Sequence, residues 1–373
     1  MGEESKKLLL KKYGCKSIAP LDIYLGIDKL PFKISPNLML QMAFWCQNQG
    51  SYQAAEDMIR ATLGLTVNDD TMRMVTNYVG KLVFDRDKEK AAKARLMLDK
   101  GIAIPKYRKV DAKSILYIEM DGAAVNTRIK DNGSSWKENK LGCVFSSDNI
   151  HYYTNSKTGE KEHRIEKCEY VSYLGSASEF KWHLFALALE NNYDPEREVV
   201  ILSDGAQWIR NLSEELFPGA TLILDLFHLF ENVHTYAKGL FPEDSVKANS
   251  WAKPICEKLE KGKWKKVLEE DVEDKAVLGF NLHSYIESNS DRIDYPTYKK
   301  KGYFVGSGAI ESGNKAVVQK RLKLAGMRWN TESAQYLLTL RAKYSSGRWV
   351  SDVETAVGSL FSITPEVLKI PKK

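Results

Sequence analysis

The chain has 373 residues, of which 43% are apolar and 28% charged, with a formal net charge of +6. That length allows two or three domains with cores of their own, and no apolar run reaches the roughly 18–20 residues of a membrane span, so no membrane association is expected. Met1-Gly2-Glu3-Glu4 lacks a secretory apolar core, and five scattered cysteines (15, 46, 143, 168, 256) form no Cys-x-x-Cys pair, which supports neither a zinc ribbon nor a disulfide framework and makes a reducing cytoplasm the expected compartment.

Residues 1–110 are expected to be helical. Ser35-Pro36 opens a periodic segment that runs to Trp45, and Ser51 is placed to N-cap a second over 52–59. A turn through Leu63-Gly64-Leu65-Thr66-Val67-Asn68 leads to a third helix over 69–79. Helix, glycine turn and helix is the outline of a DNA-binding helix-turn-helix, and equally of an ordinary helical hairpin. Only Arg73 would read bases there, beside Asp69 and Asp70, which phosphates would repel. The charged stretch 85–113 reads as a solvated helix or linker.

From residue 114 the period changes. Ser114-Ile115-Leu116-Tyr117-Ile118-Glu119-Met120-Asp121 is a nearly continuous apolar run, as expected of a central strand covered on both faces. Strands follow at 141–145 and 169–174, then a helix over 180–190, a strand at 198–204, a helix over 208–217 and a strand at 220–225. Three strands able to form a meander, then helix, strand, helix, strand, match an RNase H-like α/β fold. Its mixed five-stranded sheet, flanked by helices, sets the first and fourth strands side by side and parallel. The expected division is a first part of the core at 111–240, an all-helical insertion at 241–300, completion of the core at 301–350 and a tail at 351–373.

That topology makes Asp121-Gly122 and Asp204-Gly205 neighbours at the ends of adjacent parallel strands. Each alone is a common turn signal. Together they are an oxygen-rich pair suited to hard divalent cations. Two-metal phosphoryl transfer, with ions about 3.5–4 Å apart, needs a third acid. Glu231, after the fifth strand, is one candidate. Glu311 is the preferred one, framed by Gly306, Gly308 and Gly313, which permit close backbone approach. Asp225 and His228 stand at a strand-to-helix junction, spaced to share a hydrogen bond as a structural pair near the site. From Ser312 to Thr331 five basic residues (Lys315, Lys320, Arg321, Lys323, Arg328) occur with no acidic one, a local stripe suited to phosphates.

Taken together, these residues resemble bacterial insertion-sequence transposases of the DDE type, in the Mutator-like group. Asp121, Asp204 and Glu311 match that family's catalytic, metal-holding triad. Asp225 and His228 match its Cys/Asp-x-x-His signature. Gly306-Ser307-Gly308-Ala309-Ile310-Glu311 with Asn314-Lys315, Arg321-Leu322-Lys323 and Gly326-Met327-Arg328-Trp329 is similar to its third-acid block, the most specific part of the match. The resemblance spans roughly residues 15–350 and implies an RNase H-like core interrupted by a helical insertion. Relatives often carry a further N-terminal region, sometimes with cysteine pairs ahead of a segment like Pro20-Leu21-Asp22. Only Cys15 stands there in this chain, which suggests a shortened copy.

The resemblance further implies two Mg²⁺ (or Mn²⁺) ions per active site and double-stranded DNA, both transposon ends and target, as partner. Water would attack a phosphodiester at the element's end, and the freed 3′-hydroxyl would then attack target DNA. Asn314, Lys315, Lys320, Arg321, Lys323 and Arg328 are expected to contact DNA. Trp329 would either stack on an unpaired base or pack in the core. Synapsis of two ends implies a homodimer or larger assembly on DNA. The alternatives are a transposase-derived DNA-binding protein without catalysis and an RNase H-like structure-selective nuclease that cuts without joining.

Overall fold

A computed structural model of the protein describes residues 30–102, 114–131, 134–159 and 161–361. Cys15, Pro20-Leu21-Asp22, residues 103–113 and the C-terminal lysines 369, 372 and 373 lie outside the described residues. The chain divides into two compact units, residues 1–83 with 350–373, and residues 84–349.

In the first unit, helices α1 (Pro36–Asn48), α2 (Tyr52–Leu63) and the start of α3 (Asp69–Asp99) follow from local signals. Ser35 and Ser51 accept from the backbone N–H groups of Leu38 and Ala54, satisfying amides that the first turn leaves free. Gly64 ends α2 at φ +67°, a left-handed cap that glycine adopts without strain. Met39, Met42 and Cys46 from α1, Ile59 from α2, and Met72, Val75 and Val79 from α3 are buried. The second helix of the expected pair does not stop near residue 79: it runs on to Asp99, absorbing much of the stretch read as solvated helix or linker. Arg73, the one expected base-reading cation, is engaged with Asp70 at 3.0 Å. A short helix over Thr355–Gly358 lies within the expected tail and buries Ala356 and Val357.

The second unit is built on a mixed five-stranded sheet of order β5-β2-β1-β6-β7. Its strands are β1 (Leu116–Asp131), β2 (Ser134–Ser146), β5 (Glu169–Leu174), β6 (Val199–Ser203) and β7 (Thr221–Leu224), while β3 (Ile150–Thr154) and β4 (Lys161–Ile165) pair as a separate hairpin. Strand β1 is parallel to β6, β6 is parallel to β7, and β2 is antiparallel to both its neighbours. Helices α4 (Ala177–Glu190) and α5 (Gln207–Leu216) cover one face, where Leu116, Ile118 and Met120 meet Phe180, Leu184 and Ile209. Burial of each such side chain contributes about 1.5–3 kcal/mol.

Helix α6 (Leu226–Leu240) follows β7, and α7 (Ser245–Glu260) packs against it. Next come α8 (Trp264–Glu270), α9 (Leu282–Ser288) and α10 (Tyr295–Lys300). This insertion is not all-helical as expected: Ala276–Val277 and Phe280–Asn281 pair as β8 and β9 around Leu278 and Gly279, both at positive φ. Trp251 and Trp264 of the insertion are half-buried.

The chain then returns to the sheet as α11 (Gly308–Gly313), a π-helical segment (Asn314–Gln319), α12 (Lys320–Leu322) and α13 (Thr331–Ser345). The wide π turn is held by a buried cation, since Arg341 of α13 donates to the carbonyls of Val317, at 2.8 Å, and Ala316. Burial, with Arg321 nearby, pulls its pKa down to about 10. Gln335 and Ser346 satisfy the exposed backbone of edge strand β5, accepting from the N–H groups of Leu174 and Tyr170 at 2.7 Å each.

Two features of this unit carry predictions. A Cβ on Gly313 would lie 2.4 Å from Tyr170 Cε1 and 3.3 Å from Leu141 Cδ2. Alanine gains about 1 kcal/mol of helix propensity, but overpacking costs about 1–3 kcal/mol, so Gly313→Ala should lower the urea midpoint. A raised midpoint would show that the ring moves freely.

His183 is buried between Phe84 (5.8 Å, stacked) and Tyr173 (5.2 Å). Burial pushes its pKa from 6.5 down to about 4, Lys343 and Lys88 adding to the effect and Asp87 opposing it. The unfolded chain therefore binds the proton first. The stability contribution is complete above pH 6.5 and is lost as pH falls towards 4, on the order of 3 kcal/mol. His183→Phe should flatten that part of the stability–pH curve, measured by denaturant titration across the same range.

Candidate active site

Strand β1 alternates faces, and its odd-numbered residues meet the returning segment one after another. Tyr117 packs against Phe304, with ring centroids 5.1 Å apart. Glu119 accepts from the backbone N–H of Ile310 at 2.8 Å, and Asp121 accepts from Asn314 Nδ2. These three contacts fix where the Glu311 helix lies over the sheet.

Asp121 was expected at the end of its strand. Instead it lies within β1, because the chain passes through Gly122 without turning and stays paired with β2 as far as Asn126↔Trp136. The alternation of buried Ala123, Val125 and Thr127 with more exposed Ala124, Asn126 and Arg128 marks that continuation as a strand covered on one face. Asp204 does sit at a turn, just past β6, where its Oδ1 accepts from Ala206 N at 2.9 Å and Gly205 takes φ +92°. The parallel β1–β6 register ends at Glu119↔Leu202. Carried on by two residues, it sets Asp121 level with Asp204. Their proximity is electrostatic as well: burial raises the Asp121 pKa and the Asp204 charge raises it further, while bonds from Gly122 N–H and Asn314 and the nearby His228 oppose.

The insertion braces this corner. Tyr285 of α9 donates to the carbonyl of Asp204 at 3.0 Å, and Tyr295 of α10 donates to that of Leu224 at 3.1 Å. Asp225 is fully buried and N-caps α6: one carboxylate oxygen accepts from His228 N at 2.8 Å and the other from Ser307 N. The bond between Asp225 and His228 thus uses the histidine's backbone, and Asp225 also ties the returning segment to the end of β7. The His228 ring faces Glu231, with Nδ1 3.5 Å from its carboxylate.

Glu311 is exposed on α11, one helical turn before Asn314, and lines a cleft of about 790 Å³ together with Glu119 and Glu231. Glu119 is a further residue of the site, one that no motif in the sequence marks. It is fully buried, and its carboxylate caps the start of α11 through Ile310 and Ala309; burial, then the neighbouring charges of Asp225 and Glu311, push its pKa up to about 8. The available signal was an acid two residues before Asp121, hence on the same strand face.

The expected DNA contacts divide. Lys315, Lys320, Lys323 and Arg328 are exposed, and Asn314 is turned inward to hold Asp121. Arg321, at 1% exposure, lies 4.8 Å over the ring of Trp329, itself 7% exposed. Both side chains are turned into the fold and away from solvent. Their burial follows from the Trp329 backbone pairing with Asn126 and Arg128 of β1 and the Trp329 indole donating to Leu322 O at 3.2 Å.

Among the described residues no three His, Cys, Asp or Glu side chains close on one point as a ready metal cluster. The donor set nevertheless suits a hard cation. Asp121 and Asp204 concentrate negative charge, and Asn314 Oδ1 is a buried oxygen with no hydrogen-bond donor. Among the described residues no helix is long and apolar enough to cross a membrane. The family model of an uncharacterised protein family, UPF0236, matches residues 88–357. No curated protein matches the chain.

Proposed function

The chain belongs to the UPF0236 family, and from that premise we propose that it is a DNA transposase of the DDE type, with an RNase H-like core. The observation that carries this reading is that the β1–β6 register, carried on by two residues, sets Asp121 level with Asp204 at the turn just past the adjacent parallel strand, with the helix bearing Glu311 anchored to the same face of β1. The sheet order supports the RNase H-like assignment, since β1, β2, β5, β6 and β7 stand in the order that fold requires.

Asp121, Asp204 and Glu311 would hold Mg²⁺ or Mn²⁺. Bound divalent ions supply charge neutralisation and polarisation at the scissile phosphodiester. The protein's own part is positional. Asn314 fixes the rotamer of Asp121, the Tyr285 contact fixes the Asp204 turn, and Asp225 with Glu119 fixes the approach of the Glu311 helix. The exposed cations Lys315, Lys320, Lys323 and Arg328 would contact DNA phosphates, with affinity falling steeply in salt. Cleavage and joining are then successive in-line displacements, by water and by the freed 3′-hydroxyl, with no covalent enzyme intermediate. Two DNA ends brought together imply a dimer or larger assembly on the DNA.

The test is metal-dependent joining of a labelled 3′ end of the element to a plasmid. Terminal inverted repeats and short target duplications flanking the gene would supply that end. Cutting without joining would mark a structure-selective nuclease, and tight DNA binding with no cleavage in Mg²⁺ or Mn²⁺ would sink both enzymatic readings.

A further inference from the structure

The cleft beside Glu311 has a composition of its own. Its volume of about 790 Å³ falls in the range of roughly 300–1,000 Å³ typical of small-ligand sites. Phe227, Phe304, His163 and Tyr170 line it with aromatic surface. Phe227 is 60% exposed, although it is a large apolar side chain in the first turn of α6. The ring rests against Gly306, where a Cβ would lie 2.6 Å from it. His163 is stacked on Phe304 with centroids 4.5 Å apart. The cleft thus offers an exposed π face on Phe227 with the stacked rings of His163 and Phe304 also in its lining.

Among the described residues its acidic side chains, Glu119, Glu231 and Glu311, meet no Lys or Arg in the lining, although Glu119, its pKa pushed up to about 8, is largely uncharged at neutral pH. A phosphate is repelled from such a lining. A flat heteroaromatic ring carrying N–H donors is attracted, since it can stack on the aromatic faces while a carboxylate accepts its hydrogen bonds. Glu119 is already committed to the backbone of α11, whereas Glu231 is exposed and presents acceptor oxygens only.

We propose that this cleft receives one unstacked nucleobase of the DNA strand being processed, and that it favours bases with an exocyclic amine, such as cytosine, over thymine. This rests on the reading of DNA as substrate. Glu231 accepts the amine, as carboxylates do from cytosine N4, Phe227 stacks on the ring, and the sugar–phosphate backbone stays outside the acidic lining. Lying against Glu311, the occupied cleft would hold a strand out of its duplex beside the carboxylates.

The experiment is equilibrium binding by fluorescence anisotropy, in EDTA so that no metal chemistry intervenes. The probes are short fluorescein-labelled single strands of oligo(dC), oligo(dT) and an abasic backbone. The wild-type protein should bind oligo(dC) roughly 10-fold tighter than oligo(dT), as a hydrogen bond to a charged group provides, and the abasic strand most weakly. Phe227→Ala should weaken oligo(dC) binding roughly 5- to 100-fold, the range of one lost stacking partner, and leave the abasic strand unaffected. Glu231→Gln should reduce the oligo(dC) preference while keeping the stacking contribution. Equal binding of all three probes, or an unchanged affinity in Phe227→Ala, overturns the proposal. Joining of DNA ends by a wild type without base preference would remove the cleft proposal and leave the transposase reading standing. A base preference in a protein that never cleaves DNA would do the reverse.

Discussion

Asp204→Asn is expected to lower metal-dependent DNA cleavage and joining by about 10³-fold or more, the several kcal/mol that a correctly held divalent ion supplies. The substitution separates charge from shape. Asn keeps an oxygen for the Ala206 N–H, so the turn after β6 survives, and the Tyr285 contact is to the backbone. What disappears is one of two adjacent negative charges, and Asp121, raised by burial and then by Asp204, is relieved of that repulsion. The metal-free variant should therefore melt at the same temperature as the wild type or slightly higher. Added Mg²⁺ should raise the wild-type melting temperature through preferential binding to the folded state, and should leave that of the variant unchanged. Full joining activity, or an undiminished Mg²⁺ shift, in the variant would remove Asp204 from the metal-holding set.

Asp225→Asn should cost about 1–3 kcal/mol of stability, the cost of a buried backbone donor left without an acceptor, because asparagine still serves as the N-cap of α6. Asp225 meets two separate segments, the first turn of α6 at His228 and the returning chain at Ser307. Both partners are N–H donors, so both of its oxygens are required. An asparagine in its place has one oxygen and must turn its NH₂ towards one of those donors. The Ser307 amide should then exchange hydrogen faster than in the wild type. Joining should fall as well, since that segment leads directly into the Glu311 helix. A denaturation midpoint unchanged in the variant would show that Asp225 does not brace the two segments.

Local patterns revealed the sheet better than they revealed the site's supports. The runs at 116–121, 199–203 and 221–224 are apolar because both faces are covered, and they appear as strands on that ground alone. The second half of β1 is hidden in the sequence because Asp121-Gly122 imitates a turn. The hairpin of β3 (Ile150–Thr154) and β4 (Lys161–Ile165) went unread because its residues are largely exposed and lack an apolar alternation. Glu119 was hidden for the opposite reason: a lone acid in an apolar strand makes sense only once Ile310 arrives to be capped. Likewise Arg321 looks like a phosphate ligand in a basic stretch, and nothing local marks Arg341 for the interior. The ring of Trp329 and the open carbonyls of a π turn, which no 3.6-residue period reports, are what draw them inward.

The contacts along β1 also set an order of assembly. The Glu119–Ile310 bond spans 191 residues and the Asp121–Asn314 bond 193, so they close after nearly everything between them has been synthesised. A chain emerging from the ribosome can pair β1 with β2, β6 and β7 and so set both aspartates together early. It acquires Glu311, and the cap for Glu119, only when the insertion has folded and brought the chain back. On the proposed reading, nascent and prematurely terminated products are inert towards DNA, and activity is withheld until residues beyond 314 have left the ribosome.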